Sequence, residues 1–138
     1  MERVVIGKTG LEVNRLGFGG IPIQRVDEAQ AVETVLRAVE KGVDFIDTAR
    51  GYSTSERRIG MALRETDKKV IIASTSRNRT SDGIRADLEK SLQELQRDHI
   101  DLYQCHFVKN EQDYHQIIIP GKPPALPVDS RSLTVAEI

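Results

Sequence analysis

Three residues could do chemistry together if a fold gathered them: Asp47, Tyr52 and His106. Asp47 and Tyr52 share one stretch, "FIDTARGYSTSERRIG", which runs from Phe45 to Gly60, opens as an apolar strand and closes as a helix. A phenol has a reference pKa of about 10. It yields its proton to a developing alkoxide when a neighbouring ammonium favours the phenolate. A carboxylate such as Asp47 would hold that ammonium. An imidazole such as His106 could hydrogen-bond a carbonyl oxygen and aim it. Such a set suits carbonyl reduction, with hydride going to carbon and a proton to oxygen. Each residue alone has a plainer use: an aspartate ends strands, a tyrosine packs with its hydroxyl in water, and a strand histidine is hydrogen-bonded structure.

The elements that would position these groups alternate. "ERVVIGKTGLEV" reads as a hairpin, with glycines at the turn supplying positive φ. "NRLGFGG" is a short strand. Asp27 can cap a helix whose apolar positions Ala31, Val32, Val35, Leu36 and Val39 recur at helical spacing, with Gly42 just past its end. "VDFID" is a strand, "SERRIGMALRE" a helix and "KVIIAST" a strand apolar enough to be covered on both faces. Thr80, Ser81 or Asp82 can cap a third helix with the stripe Ile84, Leu88, Leu92 and Leu95, and "HIDLYQC" is the fourth strand. The strands end near Gly19, Asp47, Thr75 and Cys105, a period of about 28 to 30 residues that marks stacked βα units. Strand–helix alternation of this kind predicts a parallel sheet of the β/α-barrel type, in which the loops at the carboxyl ends of the strands form the site. Asp47, Tyr52, Thr75 and His106 all fall there.

Four blocks in order, "GKTGLEVNRLGFGG", "FIDTARGYSTSERRIG", "IIASTS" and "SLQELQRDHIDLYQCH", closely resemble the aldo-keto reductases, over roughly residues 3 to 119. Asp47-Thr48-Ala49, then Tyr52, Ser55-Glu56 and Gly60, matches that family's first signature. The resemblance implies a β/α barrel that binds NADPH and reduces small aldehydes and ketones with an Asp, Tyr, Lys and His tetrad. Matched motif to motif, it assigns Asp47 as the carboxylate, Tyr52 as the general acid and His106 as the histidine. It also assigns Asp47 and Thr48 to cofactor binding. The lysine position is occupied by Thr75, which carries no charge. Lys68 and Lys69 sit at the other end of their strand, and Arg77, two residues beyond Thr75, is the cation within reach. A barrel of this kind has eight units in about 250 residues, and only about four are present here. The reading is therefore residues 1–119 as the amino-terminal half of such a barrel and 120–138 as a proline-rich, poorly ordered tail. The resemblance implies a reductase impaired or inactive as this truncated chain. The alternative is a non-catalytic remnant or interaction module that associates through its open sheet edges.

Composition narrows the remaining classes. The 138 residues hold 20 Lys and Arg against 21 Asp and Glu, too balanced for a nucleic-acid or anionic-membrane surface. Tryptophan is absent and aromatics are 4%, which argues against stacking platforms for single strands. No apolar run is long enough to span a bilayer and no leader is visible, so a cytoplasmic location is expected. The single Cys105 excludes an intramolecular disulfide, and its strand position reads as a buried thiol, not a nucleophile. His99 and His115 lack partners at metal spacing, so no metal site is expected. The glycines of "GFGG" lack the spacing of a dinucleotide loop, and close packing at a barrel mouth is the better reading.

Overall fold

The computed structural model describes residues 2–117. The proposed tail, 120–138, and the boundary before it lie outside the described residues.

A short antiparallel hairpin comes first, β1 (Arg3–Val5) against β2 (Glu12–Asn14). Gly7 and Gly10 turn it with φ of 51° and 74°, the region that disfavours side chains. Four parallel strands follow in the order β3 (Phe18–Gly19), β4 (Phe45–Asp47), β5 (Ile71–Ser76) and β6 (Leu102–Cys105). Helices α1 (Glu28–Glu40), α2 (Ser55–Leu63) and α3 (Ser81–Leu95) connect them, and α4 (Glu111–Ile117) follows β6. This is the arrangement the spacing predicts, four consecutive βα units of a barrel-type sheet. The first parallel strand is only two residues long, Phe18–Gly19, because Asn14 belongs to the hairpin and the chain turns into a short 3-10 helix, Pro22–Arg25, soon after Gly20. Helix α4 was not legible as an apolar pattern, and none of its residues is buried. Its start is set instead by Asn110, whose Oδ1 accepts from the Asp113 N–H at 2.9 Å.

The caps form as local chemistry dictates. Asp27 accepts from the Gln30 N–H at 2.8 Å, and Thr80 accepts from the Gly83 N–H at 3.2 Å. Gly42, with φ of 98°, lets the chain leave α1. Asp44 pins the hairpin beneath the sheet: its Oδ1 accepts from Asn14 N–H at 2.7 Å and its Oδ2 from the Arg3 guanidinium at 2.9 Å.

Successive strand residues face opposite sides. Ile46, Ile72 and Tyr103 face the helices and pack with Val35, Val39, Ile59 and Leu95 in one buried cluster. Burying each large apolar side chain contributes about 1.5–3 kcal/mol. The other side of the strands carries Asp47, Ala73, Thr75 and Gln104. Among the described residues, the large exposed apolar side chains are Val5, Leu16, Ile21, Phe107, Val108 and Tyr114, all outside the four parallel strands. The sheet's open character therefore lies in the edges of β3 and β6 rather than in uncovered apolar faces. No described helix is long and apolar enough to cross a membrane.

Candidate active site at the carboxyl ends of the strands

The parallel ladder continues past the end of β4: Thr48 N–H donates to Ala73 O and Arg50 N–H to Thr75 O, each at 2.9 Å. These two bonds carry the chain over the top of β5. It then turns sharply. Tyr52 N–H donates to Ala49 O at 3.0 Å and Ser55 N–H to Tyr52 O at 2.8 Å, while Ser53 adopts a φ of 35°. The turn delivers Tyr52 to the mouth of the sheet. Its ring meets His106 edge to face, with centroids 5.7 Å apart and planes at 85°.

His106 arrives from the next element but one. Its N–H donates to Ser76 O at 2.7 Å, which continues the ladder between β5 and β6. Its Nδ1 lies 2.8 Å from Thr75 Oγ1. A hydroxyl on Nδ1 leaves Nε2 to face a ligand. Burial pushes the imidazole below its ordinary value; Arg77 pushes the same way, Asp47 opposes and Arg79 adds to the lowering. Burial raises the Asp47 carboxyl above the usual range, against the field of a protonated His106. No hydrogen bond to a described residue counters that burial, so the Asp47 carboxylate stands half-buried without a partner.

Asp47, Tyr52, Thr75 and His106 are thus brought together. Thr48 is not. It is fully buried, and its Oγ1 lies 2.9 Å from Ser55 Oγ, which in turn donates to Gly20 O at 2.9 Å. The hydroxyl is turned towards Ser55 at the start of α2. The same packing explains Gly20. A Cβ there would stand 2.5 Å from Ser55 Oγ and 3.1 Å from Asp47 O. The close-packing reading of "GFGG" is therefore the better one. Lys68 lies at the opposite end of the sheet, where its Nζ donates to Val39 O at 3.3 Å and Glu40 O at 3.2 Å. Arg77 is nearer: its Nε would lie 3.5 Å from a Cβ on Gly51, the residue before Tyr52. Cys105 is half-buried, its thiol pKa raised by burial against the field of Arg79.

Beneath the site lies a group that the sequence presents only as part of a motif, with no role attached. Glu56 is 1% exposed, pairs with the Arg50 guanidinium, and accepts from Ser74 Oγ at 2.7 Å. A buried carboxylate needs such partners. The signal was present: Glu56 precedes Ile59 by three positions and so shares the buried face of α2. The pair ties the Tyr52 turn to β5 and α2.

A family model described as the Aldo/keto reductase family matches residues 15–120. The chain is 35% identical over 126 residues to aldo-keto reductase YhdN of Bacillus subtilis, covering 78% of this chain and 38% of that protein. It is 27% identical over 137 residues to an NADH-specific methylglyoxal reductase of Escherichia coli, covering 78% of this chain and 42% of that one. Among solved structures, aldo-keto reductase AKR11C1 from Bacillus halodurans in its holo form superposes with a TM-score of 0.73 at 28% identity, covering 85% of this chain and 44% of that one. The chain spans about two-fifths of the length of the curated relatives it matches.

Proposed function

The chain belongs to the aldo/keto reductase family, and from that premise we propose that its described residues form the proton-donating side of an NADPH-dependent carbonyl reductase site. The observation that carries this is the meeting of Tyr52 and His106, 5.7 Å apart, at the carboxyl ends of parallel strands. In this reading the Tyr52 hydroxyl donates the proton to the reduced carbonyl oxygen. His106, neutral at neutral pH and held through Nδ1 by Thr75, aims that oxygen with its Nε2–H. Asp47, half-buried and unpartnered, is the carboxylate for a polar or cationic group brought against it, which fits the nicotinamide end of the cofactor or a lysine ammonium. NADPH, when bound, supplies the hydride. The substrate is a small aldehyde or ketone, and the location cytoplasmic, in keeping with a lone thiol.

Thr75 supplies no positive charge to Tyr52, so the 138-residue polypeptide by itself should turn over barely or not at all. General-acid help worth typically 10²–10⁴-fold is weakened without the ammonium, and cofactor and carbonyl must both be held for any gain from proximity. The neutral Thr75 also favours a second reading, a non-catalytic module that pairs its β3 or β6 edge with another chain. NADPH oxidation with a reactive aldehyde, alongside cofactor binding by fluorescence, decides between them. Tight cofactor binding supports the first reading. Neither binding nor turnover, with stable association into a larger assembly, supports the second. Ready turnover by this polypeptide would overturn the argument from Thr75.

A further inference from the structure

Beside His106 opens a cleft of about 520 Å³, formed by the loop after β5 and the loop into α4. That volume suits a small ligand. Three cations line it, Arg77, Arg79 and Lys109, against one carboxylate, Asp113. Asp113 is occupied locally, accepting from the Lys109 N–H at 3.0 Å. None of the three cations makes an ion pair among the described residues, whereas Arg3, Arg15, Arg37, Arg50 and Arg57 all do.

Two of the cations, Arg79 and Lys109, are held without being neutralised. The Arg79 guanidinium donates to His106 O at 2.7 Å, Phe107 O at 3.3 Å, Arg77 O at 3.0 Å and Asn78 O at 3.3 Å. Carbonyls fix its direction and leave its charge in place. The Lys109 ammonium sits 4.3 Å from the centroid of the Phe107 ring, a contact that orders it without a counter-ion. Phe107 itself takes a left-handed φ of 60°. Unlike charges scattered over a surface, these border one concavity and share a wall, His106, with the candidate active site.

We propose that this cleft is a subsite for the anionic end of the substrate, a carboxylate or phosphate borne by the carbonyl compound that Tyr52 and His106 handle. The inference rests on the carbonyl reading for the other end of the molecule. A ligand anchored by Arg77, Arg79 and Lys109 would extend past His106 towards Tyr52. Phosphate and carboxylate both suit a guanidinium fork.

The test needs no turnover. The ¹⁵N-labelled 138-residue chain is titrated at low salt with succinate, inorganic phosphate and adenosine 2′-monophosphate while amide signals are followed. The expected result is saturable shifts confined to His106, Phe107 and Lys109 with succinate or phosphate. Arg77→Gln and Lys109→Gln, both at exposed positions, should each weaken binding about threefold, the effect of one cation about 6 Å away in high dielectric. In the unaltered protein, raising salt tenfold should weaken binding while the shifts stay local. Shifts spread over the surface, or unchanged in both variants, would overturn the subsite. Adenosine 2′-monophosphate binding tenfold better than succinate would assign the cleft to a cofactor phosphate and overturn the substrate assignment. If anions bind as expected while Tyr52 proves irrelevant to turnover, the carbonyl reading alone falls.

Discussion

Replacing Glu56 by Ala tests how the Tyr52 turn is held. The substitution leaves Arg50, whose side chain is 13% exposed, without its carboxylate, and leaves fully buried Ser74 without its acceptor. Removing one partner of a buried ion pair costs about 3–5 kcal/mol. The slight exposure of Arg50 places its share near the lower end, about 3 kcal/mol, and the orphaned Ser74 hydroxyl adds about 1 kcal/mol. A domain of this size has about 5–15 kcal/mol in all. At about 2 cal/mol/K of unfolding entropy per residue, the loss lowers the melting temperature by about 10–15 °C. Urea unfolding with a constant m-value is the assay. The companion variant Arg50→Met with Glu56→Leu should be less damaged than Glu56→Ala, because replacing both charges with apolar groups of similar volume avoids an uncompensated ion. A Glu56→Ala loss under about 1 kcal/mol, or a double variant showing simple additivity, would refute the reasoning.

The His106 titration, followed by ring-proton NMR, should start below the ordinary histidine value; Arg77→Gln should raise it and Asp47→Asn should lower it further. Because folding depresses this pKa, the folded state binds the proton less well, so stability held above about pH 6.5 is lost as pH falls through the folded value. Gly60→Ala should cost about 2–3 kcal/mol in urea unfolding, since its Cβ would stand 2.5 Å from Glu94 O and 2.7 Å from Leu95 C, where α2 meets α3 backbone to side. The isolated polypeptide should self-associate with rising concentration in sedimentation velocity, through the β3 and β6 edges; a strict monomer with a sharp, concentration-independent melt contradicts this.

Much of the fold is legible because several local signals agree. Asp27 and Thr80 are caps before apolar periods, and "KVIIAST" is too uniformly apolar to be an outer strand. Parallel strands bring their carboxyl ends to one side, so Asp47, Thr75 and His106 had to converge once the strands were placed. Side-chain direction around the turn is less legible. Thr48 and Asp47 are neighbours, yet alternation sends one hydroxyl into the core and the other group to the mouth. Glu56 looks like a solvated helix residue until its phase against Ile59 is read. The cationic cleft joins residues from two loops, at Arg77–Arg79 and Lys109, with no common spacing, and only the fold puts them side by side.

The central claim is that Tyr52, beside His106, is a general acid whose missing partner is a lysine at Thr75. The most direct measurement is NADPH-dependent aldehyde reduction by a chimera joining residues 1–117 to the carboxyl-terminal part of the Bacillus subtilis relative, in forms shown to be folded by circular dichroism. Thr75→Lys in the 138-residue chain alone should restore nothing. In the chimera the Thr75→Lys form should turn over about 10²–10⁴-fold faster than the Thr75 form, and Tyr52→Phe should remove that gain. Equal rates with Thr75 and with lysine, or turnover indifferent to Tyr52→Phe, would contradict the account.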